Sequence, residues 1–591
     1  MEISNEILEA RRLLEAIDNY ELLEDLVWYP SLNRWVFKFR ITGEFEPTNH
    51  VPVVTEWYCM VSPLYPHGKI SIYPAKENAI SCTFQHQSYN RANSDQPWRT
   101  GNICVSTSVG LWGKSLYNKE PFQPKERLSW NIRRCKSWVA AAAANVLTQN
   151  GDPFELPDLP SKFESLIAFN EDEESFTSWG IHSKHVGVAY FKKIFPEKSI
   201  YAITRFKINY KEIQYGWGKH ISESKNPEIA SICLILEAIP VKEPWQLPST
   251  WKELFIVCEK QGIDLKKILL NKLHVSNHIL IGFPIPENIG EANSRIHWMA
   301  IKLPKIPKLN GFRDSSPQLP IAQFAMMFKN DSHIDWIMTE NWNKMEITSR
   351  GKINPDISNL RITIIGAGAI GSYFSEILLR LGCYNITIID GDNVEVGNMS
   401  RHTLTMNDVG VNKAEAVSKR LNALFPNANV IPIKHQLNGS LNPKILQEVL
   451  DGTDIFVDAT AEDTLIKFAS IWLNGMDKKF ISLSTGFAAN RLFCFMTNTK
   501  DGDLLQEFTE MLSPWLKKDA SENPDPEFQR EGIGCWHPVF PARIDDILML
   551  LSMSVNRVED FLKNGEDLKL VVVEKDKDKD GNLLGVKIVD E

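Results

Sequence analysis

One stretch limits the possible architecture more than any other. Residues 361–390 read "RITIIGAGAIGSYFSEILLRLGCYNITIID". A short β-branched strand runs into Gly366, Gly368 and Gly371, spaced G-x-G-x-x-G, then into a helix and a second strand ending at Asp390. The first glycine permits a tight turn, the second lets backbone approach phosphate, and the third allows close packing of helix on strand. The helix start offers unpaired N–H groups and positive dipole to an anion. A carboxylate about 20 residues further on is placed to accept ribose hydroxyls. Strand and helix go on alternating over residues 346–591, which predicts a doubly wound parallel sheet.

The glycines alone fit a nicotinamide dehydrogenase equally well. The residues after them shift the reading. "DGDNVEVGNMSRHT" gathers Asp390, Asp392, Asn398 and Arg401 in one loop, and "GVNKAEAVSKRLNALFP" sets Lys413 at a helix start. "TDIFVDATAEDT" is a strand ending in carboxylates. An arginine and a lysine near the glycine loop suit a triphosphate better than a diphosphate bridge. Neighbouring carboxylates suit Mg²⁺. The pattern points to ATP rather than to hydride transfer.

At 591 residues the chain is long enough for three or four domains. A net charge of −9 argues against binding nucleic acid by bulk electrostatics. No apolar run reaches the roughly 20 residues of a membrane span. The amphipathic start "MEISNEILEARRLLEAIDNYELL" lacks the features of a signal peptide, so a cytoplasmic location is expected. The nine cysteines form no C-x-x-C pair, which disfavours structural zinc and implies free thiols, one or two of them candidate nucleophiles.

Along the chain, "RWVFKFRIT" and "VVTEWYCMVS" alternate as antiparallel strands do, residues 78–125 read as loop, and "RLSWNIRRCKSWVAAAAANVL" is a helix. "NGDPFELPDLP" marks a domain edge. Residues 161–345 mix short strands and helices without a chemical motif. The expected domains are therefore 1–160, 161–345 and 346–591. "DKDKDGNLLGVK", residues 576–587, begins like a calcium loop but has Lys587 where a bidentate glutamate belongs, so a charged hairpin turn is expected.

The D-x-D-x-V-x-x-x-N-x-x-R series with its following lysine resembles the adenylation domain of ubiquitin-activating enzymes and their bacterial relatives ThiF and MoeB. The resemblance implies that Asp390 binds ribose, that Asn398, Arg401 and Lys413 position phosphates, and that Asp458 holds Mg²⁺. "DATAED" is one residue longer than the family pattern, which leaves Glu462 and Asp463 as alternatives for the metal. Arg350 stands where the family supplies an arginine from the neighbouring subunit of a homodimer; it reads equally as a solvated surface charge. The implied reaction is adenylation of a protein's C-terminal carboxylate. "QREGIGCWHPVFPARIDDIL" looks like the family's capture loop, with Cys535 as the nucleophile among flexible glycines and beside His537.

The N-terminal series "SPLYPHGKISIYP", "TGNICVSTSVGLWG", the long helix and "NGDPFELP" is similar to ubiquitin-conjugating enzymes, an α+β fold, and makes Cys104 the acceptor thiol. The family's His-Pro-Asn is absent, so an oxyanion donor would come from Gln85, Gln87, Asn90, Asn93 or the backbone. His86 reads first as a loop histidine. The whole is expected to be an α/β multidomain chain: conjugating-like α+β domain, mixed α/β middle domain and Rossmann-like adenylation domain. That order resembles the ubiquitin-transferase-like fusion proteins of CBASS anti-phage operons. The resemblance implies ATP-dependent adenylation, thioester relay from Cys535 to Cys104 and conjugation to an amine, with a cGAS-like nucleotidyltransferase as substrate. The alternative is an enzyme that only adenylates a ubiquitin-like or sulfur-carrier protein, its N-terminal domain serving as a docking module.

Overall fold

The computed structural model describes residues 2–92, 95–105, 121, 123–159, 164–180, 185–208, 211–272, 277–309, 318–329, 331–437, 441–500, 502–524, 529–531, 537–539, 541–564 and 569–590. They divide into two compact units, residues 1–215 with 227–341, and residues 216–226 with 342–591.

The first unit opens with the helix Asn5–Arg12 and an antiparallel meander of β1 (Tyr20–Tyr29), β2 (Arg34–Thr42), β3 (Val54–Val61) and β4 (Ser71–Pro74). Alternation along β2 turns Trp35, Phe37, Phe39 and Ile41 inward. They share a core with the helix Pro124–Ala144, which buries Leu128, Ile132, Cys135, Val139 and Ala142 at helical spacing. Proline in its first turn and left-handed Asn145 (φ 57°) after its last set the helix ends. The Tyr65 hydroxyl donates to Pro124 O and accepts the Leu128 N–H (3.2 Å), tying the Tyr-Pro turn to the helix start.

β5 (Leu166–Phe169), β6 (His185–Lys193), β7 (Ile200–Ile208), β8 (Lys211–Gln214), β9 (Glu228–Ile235), β10 (His278–Ile285), β11 (Arg295–Lys302) and β12 (Asp335–Asn341) form an eight-stranded sheet in the order β5-β12-β11-β10-β9-β6-β7-β8. β5 also pairs with β7, so seven strands close on themselves and β8 hangs from β7. Gly282 on β10 faces Trp298 on β11, and a Cβ there would sit 2.7 Å from the indole. The freed space lets Trp298 stack on Phe206, centroids 4.5 Å apart. Beside them Glu171 is only 1% exposed and accepts hydrogen bonds from Nε1 of Trp179 and of Trp298 (3.0 Å each) and from the hydroxyls of Ser175 and Tyr215. Burial outweighs the four donors and pushes the carboxyl up to about 7.

The second unit carries the expected doubly wound sheet. β13 (Ile362–Ile365), β14 (Asn385–Ile389), β15 (Asn429–Ile433), β16 (Ile455–Asp458) and β17 (Lys479–Thr485) run parallel in the order β15-β14-β13-β16-β17. β18 (Arg491–Asn498), β21 (Leu570–Lys577) and β22 (Leu583–Asp590) extend it antiparallel; a separate pair is β19 (Gln529–Glu531) with β20 (His537–Val539). Ile362 and Ile364 enter one core with the helices Ala369–Arg380, Lys413–Leu424 and Ile544–Asn564, while Ile365 enters the other. Both faces are therefore covered, as β-branched parallel strands require. Residues 216–226 join this unit through Gly218 N–H to Pro426 O (2.7 Å) and Lys219 N–H to Ala428 O (2.9 Å). Residues 576–587 form the antiparallel hairpin β21–β22, its turn closed by Asp578 accepting the Asn582 N–H (2.7 Å). Among the described residues no helix is long and apolar enough to cross a membrane.

Glu171 makes the first unit's stability depend on pH. Its carboxyl lies near 7 when folded and near 4.5 when unfolded, so its contribution is largest below 4.5 and is lost by about pH 7. Buried His278 and His297, pushed down by burial to about 4 and about 3, act in the opposite sense. The difference between wild-type and Glu171→Gln denaturation profiles therefore isolates the carboxyl. We expect that difference to change by on the order of 3 kcal/mol between pH 4.5 and 7.5.

Candidate functional sites

β13 sits mid-sheet with β14 on one side and β16 on the other, so the connections after β13 and β16 leave in opposite directions and open a crevice at the strand ends. The glycines fill it as their spacing demands. Gly366 has φ +89° and donates its N–H to Ile389 O (2.8 Å); a Cβ on it would lie 3.0 Å from Ala459 O. A Cβ on Gly371 would fall 1.9 Å from Gly366 O. Gly368 precedes the helix and faces open space.

The resulting cavity, about 230 Å³, is walled by Gly366, Gly368, Asp390, Asp392, Lys413, Thr460 and Glu462, with His435 and Gln436 completing one side. Asp390 braces the loop: its carboxylate accepts the N–H groups of Ala367 (2.7 Å) and Asp392 (2.8 Å). Lys413 Nζ lies 3.1 Å from Asp392 Oδ2 with its side chain 15% exposed. Partial burial retains much of the strength of a cation facing an anion. The open face of Gly368, the helix start and Lys413 fit a polyphosphate, and Asp392 with Glu462 supplies the hard oxygen donors that Mg²⁺ prefers.

Not every expected residue meets at this wall. Asn398 and Arg401 lie on the 3₁₀ segment Val396–Arg401, both partly exposed and off the cavity; the Asn398 side-chain Oδ1 accepts the Glu395 N–H (2.9 Å). Asp458 is 1% exposed and stands behind the wall. Its Oδ1 accepts from the Thr460 N–H (2.9 Å) and hydroxyl (2.7 Å), its Oδ2 from the Ser482 hydroxyl (2.8 Å), and burial pushes its pKa up. Ala461 is left-handed (φ +57°), the next residue, Glu462, lines the cavity, and Asp463 starts the next helix. Arg350 is exposed and not on this wall. Among the described residues no cluster of three His, Cys, Asp or Glu side chains is arranged to hold a metal by itself.

His402 matters here in a way that spacing does not reveal. Its buried ring contacts Ala367 O through Nε2 (2.6 Å), and its Nδ1 accepts the Leu404 N–H (3.3 Å). This pairing requires the neutral ring with hydrogen on Nε2, and burial lowers its pKa accordingly. His402 thereby ties the glycine loop to the Asn398–Arg401 segment.

In the first unit, Ile103 points into the core, so strand-like alternation turns Asn102 and Cys104 outward. Cys104 is the exposed thiol among the described cysteines; Cys82 is half-buried and the others are buried, their thiols pushed up by burial, Cys494 to about 12. Cys104 lines a groove of about 420 Å³ with His86, Asn102, Arg127, Trp130, Asn131, Glu155 and Asp158. Two expected amide donors are engaged in holding the loop. Gln87 bonds Gly101 O (3.1 Å) and the Phe84 N–H (3.0 Å); Asn90 bonds Ile80 O, Cys82 O and the Arg99 guanidinium. Gln85 is off the groove. Asn102, whose Oδ1 accepts the Ile72 N–H (3.0 Å), stands beside Cys104 instead. Cys535 and Asn93 lie outside the described residues; β19 and β20 flank the segment that contains Cys535.

A parallel sheet with a glycine loop, an opposed lysine and carboxylates at its switch point defines a ThiF-type adenylation fold, and the ThiF family model matches residues 345–481. The model of the Cap2 central linker domain matches residues 145–342. The chain is 30% identical over 536 residues to the ATP-dependent ubiquitin transferase-like protein Cap2 of Enterobacter hormaechei subsp. hoffmannii, covering 87% of each chain. Cap2 of Vibrio cholerae is 33% identical over 129 residues, 20% of this chain and 21% of that one. Among solved structures, Escherichia coli MccB with ATP overlaps 40% of this chain and 64% of its own at 20% identity and a TM-score of 0.28, too little to bear on chemistry. The chain belongs to the Cap2 family of ATP-dependent ubiquitin transferase-like proteins.

The two glycines separate packing from binding. Gly371→Ala drives a methyl into the Gly366 carbonyl and is expected to destabilise the second unit by about 3 kcal/mol or more, read by denaturant unfolding. Gly368→Ala, whose methyl meets open space, should melt with wild type and instead weaken the stabilisation that ATP confers in a thermal-shift titration.

Proposed function

We propose that this chain activates the C-terminal carboxylate of a protein with ATP and relays the acyl group through two thiols to an amine. The observation that carries the reading is the cavity of the second unit, where an open glycine face, Lys413 and two carboxylates converge. There the substrate carboxylate attacks the α-phosphorus of ATP and pyrophosphate leaves, giving an acyl adenylate. Lys413 neutralises phosphate charge, and the backbone before Gly371 approaches the phosphates. Asp390 holds the ribose; Asn398 and Arg401 reach the nucleotide from their neighbouring segment, and Arg350 serves the site of a partner copy in a homodimer. A bound Mg²⁺ would shield phosphate charge, held by Asp392 and Glu462 in preference to Asp458, whose oxygens are already engaged.

The Cys535 thiolate then attacks the acyl carbon and AMP leaves. Cys104 exchanges onto the same carbon, releasing Cys535, and an amine finally displaces Cys104 to form an amide. Residues 1–160 act as the conjugating-like module, 161–345 as the middle domain and 346–591 as the adenylating one. The substrate is a cGAS-like nucleotidyltransferase, and the role is anti-phage defence in the cytoplasm. In a narrower second reading, favoured by the engagement of Gln87 and Asn90, the chain only adenylates its substrate and residues 1–160 dock it.

The test is incubation with ATP, Mg²⁺ and a cGAS-like nucleotidyltransferase, followed by mass spectrometry of thiol-sensitive adducts. Cys535→Ala should remove adducts from both cysteines, and Cys104→Ala should leave the first intact and stop conjugate formation. Adenylate formation by the wild-type protein with no adduct on Cys104 and no conjugate would establish the narrower reading. Absence of ATP–pyrophosphate exchange would end both.

A further inference from the structure

The groove around Cys104 holds a second functional pair. Cys104 donates its N–H to His86 O (2.7 Å), and Gln87 bridges Ile103 in antiparallel register, so thiol and imidazole sit on adjacent strands of chain facing one cavity. His86 is held at φ +56°, a left-handed conformation uncommon for a residue other than glycine. Such conformations persist where the surroundings over-determine them, and they cluster at functional sites.

The surroundings here are Glu155. Its carboxylate accepts the His86 backbone N–H (3.0 and 3.2 Å to its two oxygens), and Oε2 also lies 3.1 Å from His86 Nδ1. A carboxylate against Nδ1 keeps the hydrogen on that nitrogen and leaves Nε2 with the free lone pair. Neither side chain is sealed from solvent, at 41% and 35% exposure, so a substrate amine can reach the ring. The segment carrying Glu155 is itself fixed: Phe154 N–H donates to Glu287 O (3.0 Å), and Asp158 accepts the Tyr89 N–H (2.8 Å). The groove's other charged groups are Asp158 on that segment, Lys69 before β4 and Arg127 on the long helix.

We propose that His86, oriented by Glu155, is the general base that takes the proton from the amine attacking an acyl group on Cys104. The amine nitrogen bonds the thioester carbonyl carbon and its proton passes to His86 Nε2. The carbon–sulfur bond then breaks, the electron pair leaves on Cys104 sulfur, and the proton is returned to that sulfur or to water. His86 acts on the reacting nitrogen; Glu155 is a positioning residue. This inference rests on the reading of Cys104 as an acyl carrier.

The test charges Cys104 of full-length Cys535→Ala protein chemically, by exchange with a glycine-terminated peptide thioester, with the adduct site verified by mass spectrometry. Discharge by free lysine is then measured per loaded chain from pH 5.5 to 9. His86→Gly, which tolerates the left-handed backbone, should slow discharge on the order of 100-fold at pH 7. It should also change the pH profile of discharge and recover with added imidazole. Glu155→Gln should slow discharge less and also alter its pH profile. Wild-type rate and pH profile in His86→Gly overturn the proposal; if that variant does not fold, the same result in Glu155→Gln does. Chemical charging keeps this outcome separate from the ATP-driven relay. Failure of ATP to load the thiols, with discharge still dependent on His86, sinks the relay and spares the base; the converse sinks the base alone.

Discussion

The contact between Gly371 and the carbonyl of Gly366 governs the second unit. The helix Ala369–Arg380 starts so close to β13 that a methyl on Gly371 would overlap that oxygen, and Gly366 can turn the chain only at positive φ. The helix start, its unpaired N–H groups and the open space before Gly368 all inherit their positions from this packing. Asp390 on the loop's N–H and His402 on its carbonyl then clamp the turn from two sides. An anion site arises because a tight turn is forced to present bare backbone.

The loop around Cys104 follows a different logic. Among the described residues most side-chain amides there serve the loop itself. Asn90 is fully buried and occupies both its amide donors and its carbonyl, which leaves the loop stiff enough to hold His86 in a left-handed conformation. The loop carries Cys104 and His86, and the groove's other polar groups come from outside it: Glu155 and Asp158 from a proline-rich segment about 50 residues further along, and Arg127 and Asn131 from the long helix. Rigid support with chemistry on its rim is the usual arrangement for functional loops.

Sequence pattern reached unequal distances in the two units. Gly366, Gly368 and Asp390 line one cavity because local spacing delivers them there, strand, turn and helix having fixed rises; Gly371 packs against the Gly366 carbonyl, and Lys413 reaches the wall from the next helix. One surplus residue leaves Asp458, Glu462 and Asp463 as sequence alternatives for the metal, and of the three Glu462 lines the cavity. The closure of β5 onto β7 had no local signature, since neither strand's alternation names its partner. Nor did "NGDPFELPDLP" announce that its Glu155 folds back against His86; as sequence it is a domain edge.

Periodicity and spacing by themselves determined the strand–helix alternation and the glycine turn, because each depends on neighbours within a few residues. Tertiary structure alone decided the seven-strand ring, the neutral His402 brace and the Glu155–His86 pair. Those contacts join segments separated by tens of residues, and only burial and packing of the whole chain select which distant groups meet.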